Sequence, residues 1–73
     1  MTNRQEEIDD LIRRLQVHRN GSDPHTVGNA SNYLRWFLRY GKTKRLAELE
    51  LHVNHALASG KWDDLREHMS AWW

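Results

Sequence analysis

Asp23-Pro24-His25-Thr26-Val27-Gly28-Asn29-Ala30-Ser31-Asn32-Tyr33-Leu34-Arg35-Trp36-Phe37-Leu38-Arg39-Tyr40-Gly41 is the stretch whose reading decides the fold. Aspartate followed by proline is a helix start, because the carboxylate accepts from free amides of the first turn and proline lacks the N–H that would go unbonded there. Glycine at 41 is the matching stop. At about 100° per residue, Val27, Ala30, Leu34, Phe37 and Leu38 form an inner apolar arc. Tyr33, Tyr40 and Trp36 widen that arc to roughly 200°, leaving Ser31, Asn32, Arg35 and Arg39 outside it. A helix this apolar is either the central helix of its domain or one that also faces a partner. Gly28 and Asn29 weaken its first turns, so two arrangements stay open: one helix from Pro24, or a short helix, a break and a longer helix from Ala30.

Outward from this stretch, periodicity of the same kind recurs three times, and nothing alternates as a strand would. Over residues 4–19, Ile8, Leu11, Ile12 and Leu15 fall on one narrow stripe. Thr2 and Gln5 have capping-box spacing, and Asn20-Gly21 is a stop. Over residues 44–59, with Thr43 as the expected N-cap, Leu46, Leu49, Val53, Ala56 and Leu57 form a core stripe. Ala47, Leu51 and Ala58 form a weaker stripe nearly opposite. From Trp62 onward, Leu65, Met69, Trp72 and Trp73 share an arc with Trp62. Glycine-containing turns at 41–42 and 60–61 are too short to join anything but neighbouring helices. The predicted architecture is all-α: a compact three- or four-helix bundle, residues 1–73 forming a single helical domain.

Composition narrows the function. The 73 residues hold no cysteine, which excludes a disulfide framework and thiolate metal sites and favours a reducing compartment. No apolar run approaches a membrane span and the first residues are polar, so the expectation is a cytoplasmic protein without a membrane partner. A domain this short buries only about 60% of its unfolded surface, and four tryptophans are one way to hold it together without staples. Net charge is only +1, yet residues 24–45 carry five bases and no acid, between acidic flanks.

That basic segment is the candidate site. Arg35 and Arg39 stand one turn apart on helix 2, Lys42, Lys44 and Arg45 continue through the turn, and Trp36 and Tyr40 border them. Arginine interleaved with aromatics suits an acidic protein surface, and suits nucleic-acid phosphates and exposed bases equally well. The plain alternative is a solvated face whose late bases stabilise a helix end. A DNA-reading helix-turn-helix would use Lys44, Arg45 and Glu48 for base contacts, but Glu48 and Glu50 would repel phosphate.

Glu48, His52 and His55 share a helix face at a spacing open to metal ligands, with His18, His25 or His68 needed to complete a set. No metal and no cofactor is assigned. Trp72 and Trp73 are expected in the core, with Trp73 left open to a partner. Catalysis has no support, since no cysteine nucleophile, phosphate-cradling glycine loop or nucleophile elbow is present. So small a bundle also leaves little room for a ligand pocket of about 300 Å3.

Asn32-x-Leu34-x-x-Phe37, then Arg45-Leu46-Ala47-Glu48-Leu49 and Trp62, resembles the Hha family of small helical modulators of nucleoid proteins. The resemblance stops before Asn32 and after Trp62, and no functional residue is carried over from it. It implies a small regulator that works by binding another protein. The expected function is therefore a non-catalytic regulator or inhibitor docking through Arg35, Trp36, Arg39, Tyr40, Lys42, Lys44 and Arg45. Nucleic-acid binding through the same residues is the alternative, and a homodimer hiding Trp36 and Tyr40 is compatible with both.

Overall fold

Helix α1 (Arg4–Val17) starts because Asn3 stands extended ahead of it and its Oδ1 accepts the Glu6 amide at 2.8 Å. This cap sits one residue beyond Thr2, which lies outside the described residues, and Gln5 takes no part in it. Its Nε2 donates instead to Asp9 Oδ1 at 3.0 Å. A computed structural model of the chain describes residues 3–18 and 24–72, so the predicted Asp23 cap and the Asn20-Gly21 stop fall outside it. The stripe of α1 is buried as its spacing predicts: Ile8, Leu11, Ile12 and Leu15.

Helix α2 (Pro24–Arg39) is a single unbroken helix, which decides between the two arrangements left open above. Gly28 costs helix propensity but breaks no hydrogen bond, and packing of the stripe on either side of it holds the turns together. Val27, Ala30, Leu34 and Phe37 are buried, while Leu38 and Tyr33 are half-buried. Ser31 departs from expectation, being only 2% exposed. It follows Val27 by four residues, which returns it to the same face, and its hydroxyl donates to the Val27 carbonyl at 3.0 Å. Burying Ser31 therefore leaves its hydroxyl satisfied.

After Arg39 the chain turns through a Schellman motif. Gly41 takes φ +69°, the Lys42 amide donates to the Phe37 carbonyl at 2.8 Å, and the Gly41 amide donates to Leu38 at 3.4 Å. Helix α3 (Thr43–Ser59) begins at once. Lys42, not Thr43, stands at its N-cap, and no side chain caps it. The tight turn leaves no extended residue for the threonine to occupy. The Leu46, Leu49, Val53 and Ala56 stripe is buried, and the opposite stripe is open, with Leu51 71% exposed. Gly60, left-handed at φ +74°, ends α3 and its amide donates to Ala56 at 2.7 Å. Helix α4 (Trp62–Met69) follows and tightens into a 3-10 turn over Ser70–Trp72.

Four helices thus build the all-α bundle. Helix α1 packs on α2, α2 on α3, and α4 on both α2 and α3, around one core that includes Leu65 and Met69. The Cα envelope measures 31 × 26 × 17 Å. Two packed helices span about 14 Å between their outer Cα atoms, so the 17 Å dimension holds two layers and even central α2 keeps a solvent face.

Candidate partner-binding surface

That solvent face carries the aromatic residues which widen the apolar arc of α2. Trp36 is 56% exposed and Tyr40 67% exposed, so neither is needed to close the core. Asn32, Arg35 and Arg39 share the outer side of the helix, and Lys42, Lys44 and Arg45 lie exposed beyond its end. The Arg39 guanidinium carbon sits 5.9 Å from the Tyr40 ring centre, within cation–π range. Trp36 meets Tyr33 edge-on at 5.9 Å.

Tertiary packing divides the predicted set. Arg45 swings to the ring of Trp72, 5.8 Å from its centre. Trp72 itself packs edge-on against Tyr33 at 5.4 Å and Phe37 at 5.2 Å. It is half-buried and belongs with the core, as expected, whereas Trp73 lies outside the described residues. An aromatic track therefore runs from Trp36 through Tyr33 to Trp72 and ends under Arg45. Arg35 stands about 100° around the helix from Trp36, on the far border. Tyr33 and Trp72 are the members sequence reasoning missed. The i, i+3 spacing from Tyr33 to Trp36 was legible, but the approach of Trp72 depends on how α4 seats on α2.

Ion pairing leaves the basic segment out, as it does Arg13 and Lys61 elsewhere, so what sets this surface apart is the clustering of its cations without an acid among them. Among the described residues, ion pairs join Arg4 to Glu7 and Glu50, Arg14 to Asp10, and Arg66 to Asp63. None involves Arg35, Arg39, Lys42, Lys44 or Arg45. Glu50, one of the two acids expected to repel phosphate, is paired by Arg4 across 46 residues of sequence, at 2.7 Å. The Glu50 hydrogen bond outweighs desolvation and raises the pKa of Arg4 further.

The histidines do not gather as ligands. His68 reaches His52, but their rings stack face to face with centres 3.7 Å apart, so ring faces meet instead of nitrogen lone pairs. His18 packs on Trp62 at 5.5 Å, and His55 is exposed. Among the described residues no three histidine or acidic groups are placed to hold a metal ion. Two open hollows of about 510 and 300 Å3 do occur, so volume alone is not limiting as the size argument assumed. They are lined by Asp63, Arg66, Glu67 and Ser70, and by the start of α2, and neither touches the basic residues. No helix of the described residues is long and apolar enough to cross a membrane.

Comparison with family models, with curated proteins and with solved structures finds no match to this chain, so the likeness to Hha modulators stays a local one.

Proposed function

We propose that this chain is a non-catalytic binding module that docks on an acidic surface of another protein and acts by occluding it. The observation that carries the reading is the clustering of five cations, none in an ion pair among the described residues, beside two rings that the core leaves more than half exposed. Exposed tryptophan, tyrosine and arginine are the side chains that dominate interface energetics. Trp36 and Tyr40 are the anchors in this reading. Arg35, Arg39, Lys42 and Lys44 pair with carboxylates on the partner, and Arg45 borders the site from its place on Trp72. A reducing cytoplasm suits a domain without cysteine.

Nucleic acid is the second reading, favoured by one observation: the Arg4 pair neutralises Glu50 beside the basic segment. The two readings part on salt. Anisotropy of labelled duplex and single-stranded DNA at about 50 and 200 mM salt should show no binding if the partner is a protein, and a log–log slope of about −4 if five bases meet phosphates. In the protein reading, the wild-type chain captures a defined partner from native lysate and the double variant Arg35→Glu/Arg39→Glu does not, with its helical circular dichroism unchanged. Capture that survives both substitutions means the face is wrong. Light scattering on the purified chain tests the homodimer that would bury Trp36 and Tyr40 instead.

A further inference from the structure

His52 in α3 and His68 in α4 stack with ring centres 3.7 Å apart and planes 25° from parallel. His68 also meets Trp72 edge-on at 5.0 Å. Trp72 is the one ring through which the 3-10 turn holds Tyr33 and Phe37 of α2. Both histidines are half-buried, and His68 Nε2 is buried with no hydrogen-bond partner among the described residues. We propose that this stacked pair is a proton-operated latch, neutral rings holding the 3-10 turn Ser70–Trp72 against α2 and protonation releasing it.

The geometry suits two neutral rings and no more than one charge. An imidazolium at His68 would place an N–H donor at Nε2, where no described residue accepts, and a second proton on His52 would set like charges face to face. The surrounding groups do not cancel this. From α3, Glu48 stands one turn before His52 and favours a cation, while Arg45 lies against Trp72 and opposes one. His55, one turn beyond His52, is exposed. On α4, Asp64 precedes His68 by one turn and is exposed, and α2 meets Trp72 through the Tyr33 and Phe37 rings.

Burial, then the neighbouring His52, pushes the His68 pKa below the usual imidazole value of 6.5, against the pull of Glu48. A histidine depressed in this way contributes its stability above the unfolded pKa, and that stability is lost as pH falls from about 6.5 through the folded value. The latch stands on this packing and does not depend on the docking reading.

Fluorine NMR of the chain labelled with fluorotryptophan tests it, Trp72→Phe assigning the Trp72 peak and the His68 ring protons followed in the same titration. Between about pH 7 and pH 5 the Trp72 signal should move from a docked to a released position with the same midpoint as His68. The released population should rise about tenfold for each unit by which His68 lies below its free value. The variant His68→Phe keeps a ring against Trp72 and takes no proton, so its signal should stay docked throughout. A Trp72 signal that does not change with pH, that moves with a midpoint different from that of His68, or that moves equally in His68→Phe overturns the proposal. Should that variant fail to fold, the shared midpoint in the unaltered chain remains decisive.

Discussion

The two faces of α2 contrast sharply although both are rich in large apolar side chains. On one, Val27, Ala30, Leu34 and Phe37 vanish into the core. On the other, Trp36 and Tyr40 stand among uncompensated cations, more than half exposed. Tryptophan and tyrosine hold as much apolar area as the buried residues do, so hydropathy alone does not separate them. What separates them is the thinness of the bundle, since α1, α3 and α4 cover one side of α2 and leave the other to water. A large apolar side chain left in solvent contributes little to folding, and in the docking proposal above its role is to anchor a partner.

The largest expected effect breaks the buried face. Leu34→Ala removes a fully buried side chain and should cost about 2–5 kcal/mol in urea unfolding. A loss below about 1 kcal/mol would show that α2 is not the centre of the core. Trp36→Ala should sharpen the contrast. It forfeits the edge contact with Tyr33 and the packing of a side chain already 56% exposed, about 1 kcal/mol of stability, yet should weaken partner binding by about 2 kcal/mol or more. If the stability loss matches that of Leu34→Ala, the outer face is structural after all. The smallest effect lies on the border between the faces. A Cβ added at Gly28 meets nothing within 4 Å, so Gly28→Ala should raise stability by about 1 kcal/mol and shift the unfolding midpoint upward. A destabilised variant would mean that packing near the start of α2 is tighter than this geometry allows.

Much of this was legible beforehand. The stripe of α1 is buried where its spacing places it, as are Leu46, Leu49, Val53 and Ala56 of α3 and Leu65 and Met69 of α4. Leu57, Trp62 and Trp72 are half-buried, and Gly41 and Gly60 take the left-handed conformation at the helix ends. The exposure of the basic segment follows from its composition. Ser31 was misplaced because polarity was allowed to outweigh position, although a serine that bonds to its own helix is cheap to bury. The cap of α1 fell on Asn3 instead of Thr2, and Thr43 entered α3 as its first residue. Asn3 and Thr2 are neighbouring cap formers that spacing alone cannot rank. Lysine is no capping residue, and Lys42 holds its place because α3 starts directly after the Gly41 turn.

By itself, the sequence determined the helices, their inward stripes and the concentration of positive charge between residues 24 and 45. These are local properties, read from residues three or four apart on a helix of known pitch. Tertiary structure alone decided which charges and which rings meet across elements. Arg4 reaches Glu50, Arg45 reaches Trp72, and His68 slides onto His52. Each pairing joins two different elements, and no periodicity within one element encodes the distance or angle at which it meets another.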